Sequence, residues 1–458
     1  METASTTMST PLGLLAPVIS SDKVIWGRKA EAVTKDSLKS LFMVLLAPTW
    51  VLLNWVALTR YEGSLITALA ALWRQGLIDF LQANQLQPTF AASLGYLAWF
   101  AFQAVLYVVL PGPKCVGQRT PGGLLLGYVT NGLNAWVVTH LCYLIGSLAG
   151  FFDPSIIARH WEGLLVAANC SGFVLAFLFQ LKGYYQPSFQ EDRKMSGSLV
   201  FDFWAGVELN PRIAGLDLKL FLNGRPGIVA WTLIDLSWAA YQYQTLGYVT
   251  YSMIVLNILH MVYVLDFFYN ESWYTRTIDI THDHLGFMLA WGDTTFLPAL
   301  YTLQAQYLAY YPVHFTGTEA AGILTLGLLG YIIFRTSNAQ RDEFRAKHGE
   351  LNIWGSPASY MKCSYQTLDG KLHYSLLLTS GWWGFSRHSN YLGDLILSFA
   401  VCAVCGFDNV LPWAYFIFMF TFLQHRMRRD ERRCLNKYGE QWHKYCEVVP
   451  YRLLPYIY

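Results

Sequence analysis

Residues 380–407 read SGWWGFSRHSNYLGDLILSFAVCAVCGF, and this stretch changes character half-way along. Its first part combines Trp, Arg, His, Asn and Tyr side chains, whereas 395–407 carries no charged residue. A membrane-spanning helix needs about 20 mostly apolar residues. The stretch therefore predicts a helix that enters a membrane, with polar and aromatic side chains at the end where it enters.

The composition of the whole chain supports a membrane protein. Of its 458 residues, 54% are hydrophobic and 14% are charged, against about 25% charged in ordinary globular chains. The net charge of +2 provides no field for nucleic acid, so we expect no nucleic-acid partner. The eight cysteines form neither a disulfide pattern nor a zinc pattern. Cys402 and Cys405 lie inside the apolar run, which favours packing over redox chemistry.

Apolar stretches of sufficient length recur along the chain and predict an all-α, polytopic integral membrane protein with about ten transmembrane helices. The predicted spans are 41–58, 91–110, 136–152, 164–181, 227–241, 248–269, 285–301, 320–334, 391–407 and 410–424. Residues 63–81, GSLITALAALWRQGLIDFL, have an amphipathic pattern that favours a helix lying along the membrane surface.

Basic residues fix the orientation, because Lys and Arg remain on the cytoplasmic side of a membrane. With an even number of spans, the basic N-terminal region and the basic segments 335–347 and 426–437 fall on one side. We therefore predict a polar cytoplasmic tail over 1–39 and a transmembrane domain over 40–458. The part of that domain beyond residue 335 is expected to fold over the cytoplasmic face and to bind a cofactor there.

The basic residues near the last two predicted spans have polar and aromatic neighbours in the sequence that suit a nucleotide ligand. Arg341 and Arg345 share a helix side, and Arg387 precedes a span. Arginine pairs with phosphate through two parallel hydrogen bonds, and Asn390 and Asp430 can bind ribose hydroxyls or a carboxamide. Flat rings for stacking are supplied by Trp382, Trp383, Tyr391, Tyr438 and Tyr445. The alternative is a basic rim that contacts anionic lipid headgroups.

A second dense segment, 277–308, starts with TIDITHDHLGFMLAWGD. Asp293 and Tyr301 are eight residues apart, so both can line one helix face. A buried carboxyl beside a Tyr hydroxyl suits a proton-donor pair, although the two groups can also simply satisfy each other. His282 and His284 have too few partner ligands to predict a metal site, so no metal is expected.

Five long motifs, at 216–242, 266–293, 297–308, 376–394 and 428–458, resemble the sterol reductases that saturate ring double bonds. The similarity runs from about the first span to the last residue. Within this family, LFLNGRPGIVAW (220–231) and DITHDHLGF (279–287) are most similar to the members that reduce the C7=C8 bond of 5,7-diene sterols such as 7-dehydrocholesterol. Asn223 and Gly224 precede Arg225 here, where the C-14 reductases carry a Glu-containing sequence.

The resemblance implies NADPH as the cofactor, a sterol substrate taken from the bilayer, and the endoplasmic reticulum membrane as the location. Association with other enzymes of sterol biosynthesis is a further expectation. Matching motifs assign the cofactor-binding positions, together with Arg387 from the basic cluster. These positions are Arg341, Arg345, Leu378, Trp383, Arg387, Asn390, Tyr391, Asp430, Cys434, Leu435, Asn436, Lys437, Tyr438 and Tyr445.

A carbon–carbon double bond without a carbonyl activator accepts hydride only once it is protonated, so the site needs an acid and a dry cavity. We expect Tyr301 to be this acid or a proton relay, with Asp293 or Asp283 behind it. Two alternatives belong to other classes. The C-terminal motifs also resemble isoprenylcysteine carboxyl methyltransferases, which use S-adenosylmethionine. A noncatalytic sterol-binding protein, like the nuclear-envelope member of the family, is the other.

Overall fold

The computed structural model describes residues 34–366 and 370–457, which are mostly helical. The helices are α1 (Thr34–Arg60), α2 (Leu65–Gln75), α3 (Leu77–Ala83), α4 (Phe90–Val109), α5 (Gly132–Leu148), α6 (Ile156–Arg159), α7 (Trp161–Tyr185), α8 (Leu199–Ala205), α9 (Leu218–Gly224), α10 (Ile228–Leu246), α11 (Tyr251–Tyr269), α12 (Glu271–Tyr274), α13 (Ile278–Thr281), α14 (Phe287–Trp291), α15 (Leu297–Leu300), α16 (Leu303–Tyr310), α17 (Gly317–Ala346), α18 (Trp382–Phe385), α19 (Ser389–Ala403), α20 (Ala414–Tyr438) and α21 (Glu440–Val448).

The strands in these ranges are short and pair locally. They form the antiparallel hairpins β1–β2 (Lys114–Val116, Gly127–Val129), β3–β4 (Arg212–Ile213, Leu216–Asp217), β5–β6 (Asn352–Ile353, Ser356–Pro357) and β7–β8 (Tyr360–Gln366, Leu372–Leu378). Residues 1–33 of the predicted polar tail lie outside the described ranges. The remainder of that tail, Thr34 to Lys39, belongs to α1.

The prediction of an all-α polytopic membrane protein is confirmed. Within the described ranges, α1, α4, α7, α11 and α17 are each long and apolar enough to cross a membrane, and α5 and α19 are shorter apolar helices. The other predicted spans fall on α10, α20 and the segment from α14 to α15. The amphipathic segment 63–81 forms α2 and α3, whose Trp73 and Ile78 are exposed, as expected for helices on a membrane surface.

The predicted span 285–301 is a broken helix rather than a continuous one. A π-helical turn over Gly292–Phe296 separates α14 from α15. Pro298 has no N–H to donate to the carbonyl of Thr294, and the hydroxyl of Tyr96 donates to that carbonyl instead, at 3.3 Å. Single π-helical turns occur often at functional sites, and this one carries Asp293.

Two helices are longer than their predicted spans, and their extensions carry the polar residues of the C-terminal part of the protein. Helix α17 has 30 residues, about 45 Å at the usual rise, whereas the hydrocarbon core of a bilayer is about 30 Å thick. Helix α20 likewise continues to Tyr438. Arg341 and Arg345 on α17, and Asp430 on α20, therefore stand on rigid helices beyond the apolar segments.

The contact between α17 and α19 depends on paired glycines. A Cβ atom on Gly330 would lie 2.6 Å from the backbone nitrogen of Leu397, and one on Gly393 would lie 2.4 Å from that of Phe334. The two backbones therefore approach too closely for any larger side chain. This contact fixes the rotation of α19 about its axis and hence the direction of its polar residues.

Candidate active site

Three elements meet around Asn338 near the C-terminal end of α17. The Oδ1 atom of Asn338 accepts hydrogen bonds from Arg341 Nη2 at 3.3 Å and from Asn390 Nδ2 at 3.2 Å. The guanidinium of Arg341 also lies 4.2 Å from the ring centroid of Trp383. Trp383 is held in turn by a 2.8 Å hydrogen bond from its Nε1 to the carbonyl of Ser337. We call Arg341, Asn338, Trp383 and Asn390 the polar cluster.

The start of α19 connects this cluster to α20. The ring of His388 stacks on that of Tyr391, with centroids 5.1 Å apart. Burial lowers the pKa of His388 to about 4, so the imidazole is neutral near pH 7. The hydroxyl of Tyr391 accepts a 3.1 Å hydrogen bond from Arg426 Nε, and Arg426 forks onto Asp279 with contacts of 3.0 and 2.7 Å. The DITHDH motif thereby orients the arginine beside Tyr391.

One face of α20 completes the predicted cofactor site. Burial alone would raise the pKa of Asp430, but Arg433, with hydrogen bonds of 3.0 and 2.6 Å, holds it at about 2. Burial lowers the pKa of Lys437 to about 7, and Arg433 adds to this effect. Cys434 and Tyr438 are buried on the same side. Two predicted positions, Leu435 and Asn436, are instead exposed on the other side of the helix.

The segment between α17 and α19 packs over this face. Cys363 of β7 and Leu377 of β8 share a buried cluster with Cys434, Tyr438, Trp442 and Tyr445. The hydroxyl of Tyr445 donates to the carbonyl of Leu378 at 3.1 Å. The structure therefore brings these two predicted residues, Leu378 and Tyr445, into contact although they are far apart in the sequence.

The predicted arginines fall into two groups. Among residues 34–366 and 370–457, no carboxylate pairs with Arg341 or Arg345, and Arg345 is exposed. Arg387 is 7% exposed, and both of its terminal nitrogens are engaged, whereas its Nε has no hydrogen-bond partner among the described residues. It donates to the carbonyls of Val449 and Pro450 at 2.7 and 3.0 Å and to Glu431 at 2.9 Å. This geometry favours a structural brace for Arg387, and its role in cofactor binding stays a prediction.

The residues present fit an anionic ligand that also carries an amide. Arg341 and Arg345 supply positive charge without a carboxylate partner in the described ranges, and Arg341 is already oriented by Asn338 and Trp383. The Oδ1 atom of Asn390 is buried and accepts no hydrogen bond from the described residues. Such orphan acceptors are costly unless a ligand or water satisfies them. Phosphate groups and a carboxamide would meet both requirements.

Tyr301 lies deeper, at the end of the broken helix. Within the part of the chain that the structure describes, its hydroxyl donates to a weak acceptor, the sulfur of Met419, at 3.5 Å. Its ring packs against those of Trp231 and Tyr415, at centroid distances of 5.0 and 4.8 Å. Asp293 lies within electrostatic range of Tyr301, and its Oδ2 atom is buried without a hydrogen-bond partner in the described ranges. The structure thus brings the predicted Tyr301–Asp293 pair to one region.

The third predicted acid, Asp283, is engaged elsewhere. Its carboxylate forms an ion pair with Arg429, and its backbone carbonyl accepts a 2.8 Å hydrogen bond from Lys219 Nζ. The strongest charge acting on Tyr301 comes instead from Asp394. Sequence reasoning did not assign Asp394 to the site, although a carboxylate within an apolar span was a usable signal.

Comparison with known proteins follows this geometry. The model of the "Ergosterol biosynthesis ERG4/ERG24 family" matches residues 49–458. The 7-dehydrocholesterol reductase of Danio rerio is 44% identical, over 96% of this chain and 95% of its own length. That of Xenopus laevis is 45% identical, over 94% of each chain. The Delta(14)-sterol reductase of Methylotuvimicrobium alcaliphilum is 38% identical, over 91% of this chain and 94% of its own.

These relatives match nearly the full chain, whereas the resemblance to methyltransferases is confined to the C-terminal motifs. Sterol reductases are oxidoreductases that generally use a nicotinamide cofactor, which agrees with the ligand chemistry of the polar cluster. The chain belongs to the ERG4/ERG24 family and is a membrane-embedded sterol reductase.

Proposed function

We propose that this reductase uses NADPH to reduce the C7=C8 double bond of 5,7-diene sterols, converting 7-dehydrocholesterol to cholesterol. The main support is the higher identity to two 7-dehydrocholesterol reductases, 44% and 45%, than to a Delta(14)-sterol reductase, 38%, at similar coverage. Asn223 and Gly224 before Arg225 favour the same substrate class.

The choice of NADPH rests on Arg341 and Arg345, which have no carboxylate partner within residues 34–366 and 370–457. Arg341 and Arg345 bind the phosphates of the cofactor, and the additional phosphate of NADPH uses the second guanidinium. Asn390 presents its free Oδ1 to an amide N–H. When bound, the cofactor supplies the hydride. Because Trp383 and Asn338 already hold Arg341, little side-chain freedom is lost on binding.

Tyr301 donates the proton to one carbon of the double bond, and the other carbon receives the hydride. Its hydroxyl is available because the acceptor that it contacts among the described residues is the weakly accepting Met419 sulfur. The rings of Trp231, Tyr415 and Phe418 surround it and exclude water, which would otherwise trap the protonated sterol. Asp293 lies behind it as a supporting carboxyl.

The basic residues place the cofactor side in the cytoplasm, following the usual bias of Lys and Arg. In this proposal the protein resides in the endoplasmic reticulum membrane, the sterol arrives from the bilayer, and the cofactor arrives from the cytosol. Contacts with other enzymes of sterol biosynthesis then fit a substrate that remains in the membrane between reactions.

The decisive experiment uses purified full-length protein in lipid nanodiscs. It is supplied with 7-dehydrocholesterol or an 8,14-diene sterol, and with NADPH or NADH, and products are identified by mass spectrometry. We expect reduction of 7-dehydrocholesterol with NADPH to be the fastest combination. Preferential reduction of the 8,14-diene would contradict the substrate assignment, and equal rates with NADH would contradict the cofactor assignment.

The assignment of Tyr301 has its own test. Tyr301→Phe removes one hydroxyl and keeps the ring contacts, so we expect single-turnover reduction to slow by about 100-fold or more, as for other general acids. Tyr241→Phe, on α10, is the matched control and should react like the wild type. A parental rate for Tyr301→Phe with sterol and NADPH saturating would show that Tyr301 is not the proton donor.

A further inference from the structure

Asp235 on α10 and His260 on α11 form a buried pair inside two of the predicted membrane spans. The Nδ1 atom of His260 lies 2.7 Å from Oδ2 of Asp235, and the residues are 2% and 1% exposed. Ionisable residues inside membrane spans are costly and usually mark a substrate site or a cavity. The pair belongs neither to the polar cluster nor to the Tyr301–Asp293 pair, so its purpose needs a separate explanation.

The hydrogen bonding of this pair is incomplete. Nε2 of His260 and Oδ1 of Asp235 are buried without a hydrogen-bond partner among the described residues, and so is Nε1 of Trp231, one helical turn before Asp235 on α10. Buried polar atoms are normally hydrogen-bonded, so each exception calls for an explanation. His140 on α5 shows the usual arrangement, because its two ring nitrogens lie 2.8 and 2.9 Å from protein oxygens.

The two orphan nitrogens suit an alcohol. A carboxylate beside Nδ1 of His260 favours the proton on that nitrogen, so Nε2 of the neutral ring is left as an acceptor. The indole N–H of Trp231 is a donor, and the centroids of the Trp231 and His260 rings are 4.9 Å apart. A hydroxyl group both donates and accepts hydrogen bonds. A single alcohol can therefore satisfy both atoms.

Trp231 connects this pair to the proposed proton donor. Its ring packs against that of Tyr301 at a centroid distance of 5.0 Å, in one apolar cluster. The His260 and Tyr301 rings are therefore within about 10 Å of each other, since each lies about 5 Å from Trp231. In a sterol, five bonds of about 1.5 Å join the 3-hydroxyl oxygen to C7, a reach of up to about 8 Å. The two separations are of the same size.

We infer that the Asp235–His260 pair binds the 3β-hydroxyl of the sterol and so positions ring B beside Tyr301. His260 accepts the hydroxyl proton at Nε2, Asp235 holds the ring in the accepting tautomer, and Trp231 donates to the hydroxyl oxygen. A hydroxyl that leaves the membrane surface must be hydrogen-bonded again, because its burial is otherwise unfavourable. This inference rests on the proposed placement of the reacting bond beside Tyr301.

The test compares two substrates that differ in one group, the sterol that the wild type reduces and its 3-deoxy analogue. Both are supplied in nanodiscs with saturating NADPH, and kcat/KM is measured for each. The main variant is Asp235→Leu/His260→Phe, which removes both polar groups together and leaves no buried carboxylate unpaired. Asp235→Asn is the conservative variant, and His140→Phe is the control at a histidine whose nitrogens already have protein partners. Melting temperatures are measured throughout.

We expect the wild type to prefer the hydroxysterol by about 10- to 100-fold in kcat/KM, the equivalent of one strong buried hydrogen bond. Asp235→Leu/His260→Phe should lose this preference, chiefly by reducing the hydroxysterol less efficiently, because the deoxy analogue never used the acceptor. Asp235→Asn still offers an oxygen to Nδ1 and should retain part of the preference. His140→Phe should retain all of it.

Three outcomes would overturn the inference. The wild type could reduce the two sterols equally well, a result that needs no variant. The double variant could keep the wild-type preference, which would place the hydroxyl elsewhere. It could also lower both efficiencies by the same factor together with the melting temperature, as expected of a pair that merely joins α10 to α11.

The same assay separates this inference from the proposed function. Sterols of both candidate classes carry the 3β-hydroxyl, so a wild type that reduces the 8,14-diene refutes the Δ7 assignment alone, and the comparison is then made on that sterol. If Tyr301→Phe reacts at the wild-type rate while the preference for the hydroxyl still depends on His260, the proton donor is refuted and the hydroxyl site stands.

Discussion

Arg225 and Arg341 are two arginines stacked on aromatic rings, but their surroundings are opposite. Arg225 is completely buried, pairs with Glu271 at 2.6 Å, donates to Asn131 at 2.9 Å and stacks beside Tyr107 at 5.4 Å. Arg341 stacks on Trp383 at 4.2 Å and has no carboxylate partner in the described ranges. Arg225 is neutralised within the fold. Arg341 is not neutralised by a carboxylate of the described residues, so its charge is available to an anionic ligand.

The presence or absence of a carboxylate partner distinguishes a charge that stabilises the fold from a charge that is available to a ligand, and residue type does not. Glu271 also accepts the N–H of Gly132, so the pair joins the starts of α5 and α12 to the end of α9. Such a closed network stabilises one arrangement of helices. The polar cluster is open instead: Asn338 orients Arg341 and Asn390, and no carboxylate among the described residues forms an ion pair with Arg341.

The largest expected effect is on the closed network. Arg225→Met leaves the Glu271 carboxylate buried and unpaired, which typically costs about 3–5 kcal/mol, so we expect little folded protein. The double variant Arg225→Met/Glu271→Gln removes both charges and should recover much of the stability. Thermal unfolding and monodispersity in detergent measure both, and a single variant that melts like the wild type would contradict this role.

The open cluster should respond in binding and not in stability. Arg345→Ala or Arg341→Ala removes a charged hydrogen bond worth about 1.5–3 kcal/mol, so the KM for NADPH should rise by about 10- to 100-fold. The sterol KM and the melting temperature should be unchanged. Arg428→Ala, an exposed arginine of α20, is the control. Equal effects on both substrates would indicate damage to the bundle instead.

Arg387 has features of both kinds of arginine, those neutralised within the fold and those available to a ligand. Its position in the basic cluster before a predicted span predicts cofactor binding, but its guanidinium already binds two carbonyls and Glu431. We expect Arg387→Ala to lower the free energy of unfolding by about 1–3 kcal/mol and to change NADPH affinity less than Arg345→Ala does. A selective loss of NADPH affinity at wild-type stability would place Arg387 with the functional arginines.

The smallest expected effect is a dependence of cofactor binding on pH. Lys437 has a pKa of about 7, lowered chiefly by burial, so it is charged below that pH and neutral above it. An anionic cofactor binds the charged form better, so its KM should rise by roughly two- to five-fold as pH increases through 7, as for a partly screened ion pair. Lys437→Arg stays charged and should flatten the profile; an unchanged profile would exclude Lys437 as the cause.

Much of the membrane organisation was readable from the sequence because apolar length is a local property. The predicted spans at 41–58, 91–110 and 164–181 fall within or almost within α1, α4 and α7. The break after Trp291 was not predicted, because it depends on Pro298 together with Tyr96 of another helix. Helix α17 also continues beyond its predicted end at residue 334, since hydropathy detects the lipid-facing part of a helix and not its aqueous extension.

Only part of the candidate site could be predicted from the sequence. The motifs identified Arg341, Asn390 and Asp430, and the structure brings them together. They could not identify Asn338, which orients two of these side chains from α17. Likewise Asp283 and Asp394 are both acidic residues in strong motifs, yet Asp283 pairs with Arg429 while Asp394 forms no ion pair with a described residue. A motif records residue type and does not record which partner neutralises it.

The sequence by itself determined that this chain is a helical membrane protein of the sterol reductase family, because long apolar segments and extended motifs are local properties of consecutive residues. Only the tertiary structure decided which charges are available for chemistry. That distinction depends on distances between side chains far apart in the sequence: a buried arginine is inert when a carboxylate neutralises it, and it can bind an anion when none does.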